Sequence, residues 1–396
     1  MSKCFILPGS FCLGLTLLLS GCDNSDTPPT QEERQTIYVS PEGRGTGAPS
    51  SPTSFTTALA LATPGDTIYL VAGEYRPQEL PLRIRTDNLT ITGAGAEQST
   101  LLLEQANACQ LIDIQAQGIQ LQHFSIDGSQ LDLAPENCAH PALLAVQGDQ
   151  PQISHLNLRG SNPLPQRDRL ALPNERAYSL ISLQGSQNTL SVSQLRLDNA
   201  AQHSLMLQDA LGQIEIHDLH IHHSGYRGLY LYRVDGQIEI TDNRVHGAVN
   251  EGIYLRDVTG EVSVSHNHIE NLLYQPTLLG GSGIEGGLVH TNTQGEVFTY
   301  IRSNQINIDP QGINRYLSGY PLLDIDGIEV NMLGTARGFA WVEDNTVQNT
   351  DDDGIDSDTV DQGELDIVIR NNRLMNIQDR SISFVTSGQG VVRGSI

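Results

Sequence analysis

The sequence predicts an all-β solenoid of parallel coils, and three observations predict it. First, Val192-Ser193-Gln194-Leu195-Arg196-Leu197, Ile216-His217-Asp218-Leu219-His220-Ile221, Ile240-Thr241-Asp242-Asn243-Arg244-Val245 and Val264-Ser265-His266-Asn267-His268-Ile269 superpose with a step of 24 residues. Second, an interleaved series runs through Gly228-Leu229, Gly252-Ile253, Gly283-Ile284, Gly327-Ile328 and Gly354-Ile355. Third, helical periodicity is nearly absent, and short alternating runs such as Leu229-Tyr230-Leu231-Tyr232 are punctuated by Gly, Asn and Asp. Short strands at a fixed period, with no helix to cross over, bury their apolar side by hydrogen-bonding each coil to the next.

The amino terminus stands outside this pattern. Lys3 precedes an apolar run too short to span a membrane and shaped like a signal peptide. Its end, Leu19-Ser20-Gly21-Cys22, resembles the lipobox of bacterial lipoproteins. That resemblance implies a signal peptide over residues 1–21 and lipid on Cys22. It also implies a bacterial cell-envelope location, facing the periplasm or the cell surface, with membrane contact through the anchor only. Polar, Pro-bearing residues 22–35 read as a flexible tether, and residues 36–396 as the solenoid domain. Ser54 to Ala62 is expected to form a short helix that plugs the first coil and protects its open edge.

Cysteine and charge narrow the class. Cys4 and Cys12 leave with the signal and Cys22 takes lipid, so Cys109 and Cys138 remain, separated by close to one winding. In an exported chain such a pair suggests a disulfide, the alternative being two buried free thiols. The formal charge is -24 and the only lysine is Lys3, so the mature positive charge is arginine and histidine. That surface excludes nucleic acid as a partner but not an anionic polysaccharide, given a cation or local arginines.

Asn243, Asn267, Asn304, Asn345 and Asn372 fall at one repeat position. Asn tolerates the left-handed backbone of a tight corner, and stacked amides can bond in a ladder. With this feature the chain resembles the right-handed parallel β-helix of the pectate lyase superfamily, where such a ladder occurs at a turn. Ile37-Tyr38-Val39-Ser40-Pro41, then Pro64-Gly65-Asp66-Thr67-Ile68-Tyr69-Leu70 and Gly73-Glu74-Tyr75, resemble the start of many members. The resemblance runs from about residue 36 to the end and implies the fold; of activity it says little.

Insertions point to the working face. From the Asn position to the next Gly takes 9 residues in regular coils (Asn243 to Gly252, Asn345 to Gly354), but 16 from Asn267 to Gly283 and 23 from Asn304 to Gly327. A further excursion, Ser161 to Ala177, enters at the equivalent place. Loops bearing Tyr274, Arg315, Tyr316 and Tyr320 are expected to wall a groove there. After Arg380 no cap is recognisable, so the last winding is expected to meet a partner or further chain.

With Ile or Leu inward, the outward column of that face reads Met206, Tyr230, Tyr254, Glu285, Glu329, Asp356, Ser383. The next reads Gln208, Tyr232, Arg256, Gly287, Asn331, Asp358, Val385, and the position before the glycine reads Arg227, Glu251, Ser282, Asp326, Asp353, Arg380. Tyr230, Tyr232, Tyr254, Glu285, Glu329 and Arg380 are therefore candidate substrate contacts, since sugars stack on tyrosine and bond to acids and arginine.

The acids allow three uses. Asp326, Asp353, Asp356 and Asp358 could supply the acid and base of a glycosidase. Asn349-Thr350-Asp351-Asp352-Asp353-Gly354-Ile355-Asp356 is similar to the Asn-Thr-Asp-Gly-x-Asp motif of polygalacturonases, but with two extra acids and without their Gly-His-Gly and Arg-Ile-Lys motifs, so the activity is not carried over. Alternatively Asp351, Asp352 and Asp358 could hold calcium, as calcium-dependent pectate lyases do against a uronate. Lysine-based elimination is excluded, leaving Arg256, Tyr254 or Arg380 as base, although arginine is a poor one. Third, calcium could serve structure or adhesion alone. A histidine cluster (His220, His222, His223, His246, His266, His268) lies on another strand; zinc is conceivable, yet no HExxH-type spacing supports it, and a solvated stack is the plainer reading. The expectation is a polysaccharide-binding enzyme acting by hydrolysis or elimination, with a non-catalytic carbohydrate-binding or cell-surface protein as the rival.

Overall fold

Three short strands make each winding, because the alternating pattern is interrupted by a corner every few residues. The computed structural model describes residues 34–161, 176–185, 188–272, 286–309 and 325–396. The signal peptide, Cys22, nearly all of the tether, Glu285, and the insert residues Tyr274, Arg315, Tyr316 and Tyr320 lie outside the described residues.

One winding runs along a first face (Ile253–Arg256), a second (Thr259–Ser265) and a third (His268–Glu270). The next two repeat it with Gly286–Asn292, Glu296–Arg302 and Gln305–Asn307, then Asp326–Met332, Arg337–Glu343 and Thr346–Gln348. Each strand pairs in parallel with its counterpart one winding on. Among the described residues the third face is an 11-stranded sheet. The first and second faces merge into a 23-stranded one, because Leu205–His217 and Leu229–Thr241 cross the bend between them unbroken. This is the parallel β-helix that the repeats predict.

The second face shows the burial rule: in Glu364–Arg370 the apolar Leu365, Ile367 and Ile369 are buried, and the residues between them are not. Stacked inward columns form one continuous core running from Ile37 to Ile369. The plug helix forms over Phe55–Leu61. Ser54 caps it by accepting from the Thr57 amide at 3.1 Å, and Phe55 and Ala58 are buried. Cys109 and Cys138 are joined, so the oxidised alternative holds.

The asparagine ladder forms, with one correction. Asn243, Asn267, Asn304 and Asn345 each donate Nδ2–H to the Oδ1 of the next ladder residue at 2.9–3.0 Å, ending at Asn372. Their amides also bond the coil behind, as Asn304 does to the Val264 carbonyl at 2.9 Å. The left-handed backbone, however, belongs to the residue before each: Asp242, His266, Ser303, Asp344 and Asn371 have φ between 56° and 58°. The ladder residues themselves are the buried hydrogen-bonding step of the corner.

The glycine series marks the corner entering the first face, for a steric reason. A Cβ on Gly252 would lie 2.4 Å from Ile269 Cγ2, and one on Gly327 would lie 2.1 Å from Val347 Cγ1. The first face closes down onto the third here, and only hydrogen fits. The register also corrects the sequence alignment: Ile253 pairs with Leu288, so Gly287 occupies the corner in place of Gly283. The insert from Asn267 to the corner is therefore 20 residues long (287 minus 267). Gly286 takes the place assigned to Ser282, beside Asp326, and Val289 takes the place assigned to Glu285, beside Glu329.

Candidate functional site

Because the glycine corner makes two neighbouring residues turn inward, the residue before it and the residue two after it emerge side by side. In the winding of Asp326–Met332 these are Asp326 and Glu329; in the next they are Asp353 and Asp356. Glu329 and Asp356 are in register on adjacent windings, and Ile328 and Ile355 point into the core beneath them. Asp326, Glu329 and Asp356 come together, one oxygen of each within 4.8 Å of the others.

The row is less open than a solvent-facing column should be. Asp326, Glu329, Asp353 and Asp356 are 4–8% exposed, and the strands Gly286–Asn292 and Asp326–Met332 are buried at every position. Hydrogen bonds distribute the charge unequally. Asp326 Oδ1 accepts from the Asp353 amide at 2.8 Å, and Asp353 Oδ1 from the Arg380 amide at 2.7 Å. These two carboxylates thus tie successive windings together. Glu329 Oε1 accepts from Asn331 Nδ2, and Asn331 Oδ1 accepts from the Asp358 amide at 2.9 Å.

Asp356 is treated differently. Its Oδ1 is buried with no hydrogen-bond partner. Burial pushes its pKa from 3.8 up to about 6, and the charges of Asp358 and Asp353 push the same way; the hydroxyl of Ser383 and the amide of Ser357 oppose them. It is therefore able to carry a proton near neutral pH.

The calcium set proposed from the sequence is not assembled as expected. Asp351 and Asp358 fall in neither of the two close acidic groups among the described residues. Asp352 joins Asp353 and Asp379 in one, and Asp326, Glu329 and Asp356 form the other. Two acids of the Asp351-Asp352-Asp353 run thus converge with Asp379, while Asp351 joins neither group. Either group could hold a metal ion, since carboxylate oxygens suit hard cations.

The tyrosine end of the face is built around a pair that sequence reasoning set in one column without joining. Arg227 donates to Glu251 at 2.6 and 3.2 Å, the two standing 24 residues apart, which was the available signal. The Arg227 guanidinium lies 4.4–4.7 Å from the ring centres of Tyr230 and Tyr254, themselves stacked at 5.5 Å. The rings of Tyr230 and Tyr254 are thus engaged with each other and with arginine. Tyr232 is half-buried and Arg256 exposed, 5.7 Å from the Tyr232 ring centre. Burial pulls the Arg256 pKa down, but Tyr254, Tyr230, Asp257 and Tyr232 together more than offset it, so the group stays a cation and is unsuited to act as a base. Arg380, at the other end, is 60% exposed and spans Asp353 at 3.7 Å and Asp379 at 3.4 Å. Asn331, Ser383 and Asp379 were not foreseen as site residues; only the outward columns hinted at the first two.

Fold and site together define a parallel β-helix protein with an acid-rich lateral face. No protein-family model and no curated sequence matches the chain. Among solved structures it is similar to an alginate lyase from a Paenibacillus species, at 13% identity and TM-score 0.43 over 88% of this chain and 99% of that one. It is also similar to the A-module of a mannuronan C-5 epimerase from Azotobacter vinelandii (13% identity, TM-score 0.41, 86% and 93% covered). A lacto-N-biosidase from Eubacterium ramulus matches at 10% identity and TM-score 0.47, with 91% and 68% covered. At these values the likeness assigns no role to any residue.

Proposed function

We propose that the first face binds a polysaccharide and hydrolyses a glycosidic bond, with Asp356 protonating the leaving oxygen and Glu329 as its carboxylate partner. The observation that carries this reading is the meeting of Asp326, Glu329 and Asp356, with oxygens within 4.8 Å. Carboxyl groups about 5–5.5 Å apart suit direct attack on the anomeric carbon, so retention of configuration is expected. The buried, unpartnered Oδ1 of Asp356 suits a proton donor, and Glu329 Oε1 accepts from Asn331 Nδ2 beside it.

Asp356 lies three windings from Arg256 and four from Tyr232, roughly 14 and 19 Å at the usual strand spacing. Those two side chains would contact sugars further along the chain. Arg380 is placed to meet the carboxylate of an acidic glycan. The second reading is calcium-dependent binding, for which the same three oxygens are the support. The lipobox resemblance would place either activity in the bacterial envelope, anchored through Cys22.

The test is incubation of the mature chain with neutral and acidic glycans, with and without chelator. New reducing ends are expected, insensitive to chelator, without ultraviolet-absorbing unsaturated product, and lost in Asp356→Asn and Glu329→Gln. Unsaturated product would replace hydrolysis by elimination. Chelator-sensitive binding with no cleavage across the panel would leave the binder.

A further inference from the structure

The third face carries ligating side chains unconnected with the acid row. Register sets His222 beside His246 on adjacent windings. His223 follows at a corner with φ 58°, and its ring lies over Gly247, where a Cβ would be 2.9 Å from His223 Cδ2. The corner therefore swings His223 back toward its neighbours instead of across the strand. The His222–His246 ring centres are 5.7 Å apart, His223–His246 also 5.7 Å and edge-on, and His222–His223 6.4 Å. Two imidazoles on one ion at about 2.0–2.1 Å have ring centres roughly 5–6 Å apart, close to these separations, so an ion would require the ring nitrogens, which do not already lie within 4.8 Å of one another, to rotate inward.

His246 is oriented from behind. Its Nδ1 lies 3.1 Å from both Glu270 Oε1 and Asn271 Nδ2; in the tautomer that donates Nδ1–H to Glu270, Nε2 is left for a ligand, and Glu270 Oε2 lies 3.2 Å from His268 Nε2. A carboxylate fixing the far nitrogen of an imidazole is the support that metal-binding histidines use. His222 and His246, with His268 and Glu270, line a groove of about 720 Å³ that admits solvent.

We propose that His222, His223 and His246, with Glu270 orienting His246, bind a divalent transition-metal ion of the zinc class and so tie two windings of the third face together. Imidazole selects such ions over calcium, which separates this site from the acid row.

The mature chain, in millimolar Ca2+ to occupy oxygen sites, is titrated with Zn2+ by calorimetry. It is also titrated with Co2+ by visible absorption, and melted with and without Zn2+. Expected are saturable Zn2+ binding, a cobalt spectrum of tetrahedral type, and a zinc-dependent rise in Tm, all absent in His223→Ala/His246→Ala. Glu270→Gln should weaken affinity about 10–100-fold without abolishing binding. The double variant is melted without metal to show that its fold persists. Equal zinc binding by wild type and double variant, or no saturable binding, overturns the proposal.

Discussion

Asp356 shows how a single residue can be poorly placed for stability and well placed for chemistry. Its folded pKa, about 6, lies above its ordinary 3.8. The folded state therefore binds the proton more tightly: this residue's contribution to stability, ~3 kcal/mol, is fully present below pH 4 and is lost as pH rises through 6. Asp356→Asn removes the buried charge, so it should raise Tm at pH 8 by several degrees and much less at pH 4.5, which calorimetric melts would read. In the same variant cleavage should drop at least ~100-fold, since general acid catalysis contributes about that much or more. For the wild type, hydrolysis should decline as pH rises through about 6, because the leaving group then lacks its proton. A rate that keeps rising from pH 6 to 8 would move the acid elsewhere. Arg227 and Glu251 behave oppositely: their ion pair is buried and bidentate, so Glu251→Gln should cost about 3–5 kcal/mol by leaving the guanidinium without its anion. Urea unfolding would measure it.

At the scale of the element, what the sequence disclosed depended on how rigidly the repeat constrains spacing. Where windings keep 24 residues, the register of the columns Met206–Tyr230–Tyr254 and Gln208–Tyr232–Arg256 is correct as read, although Met206, Tyr230, Tyr254 and Gln208 are buried where outward-facing residues were expected. The ladder was equally legible, since only one polar residue type suits a buried corner that must bond to both neighbours. Beyond Asn267 an insert hides the corner, and two glycine pairs, Gly283-Ile284 and Gly287-Leu288, fit the pattern equally; the choice turned on the close approach to Ile306, which no spacing reveals. The carboxylate pairing of Glu329 with Asp356 was readable from their 27-residue separation, but burial, the orphaned oxygen of Asp356 and the scattering of the Asp351-Asp352-Asp358 set depend on side-chain packing. The ladder itself is testable. Asn304→Ala leaves the Asn267 amide proton and the Val264 carbonyl without partners, and should cost about 2–4 kcal/mol. Hydrogen exchange should quicken chiefly at the corners holding Asn267 and Asn345. Uniform loosening along the whole chain would mean that the ladder is not a local device.

The molecule as a whole is a stack in which each winding touches only its neighbours, so damage should remain local. The disulfide gives the sharpest trial of that property. Cys109 and Cys138 lie 29 residues apart and join windings near the amino-terminal end, whereas the acid row begins at Asp326. Closing a loop of that length restricts the unfolded chain by about 3–4 kcal/mol. Replacing both cysteines by alanine should therefore loosen the windings around Gln110–Ile114 and Ala142–Val146, where hydrogen exchange and limited proteolysis should both quicken. Exchange across Asp326–Met332 and Ile355–Asp356 should stay as slow as in the wild type, and glycan cleavage should be retained at moderate temperature. If the acid row loosens together with the amino-terminal windings, the chain unfolds as one cooperative block, and independence of neighbouring windings is not how this solenoid holds its site.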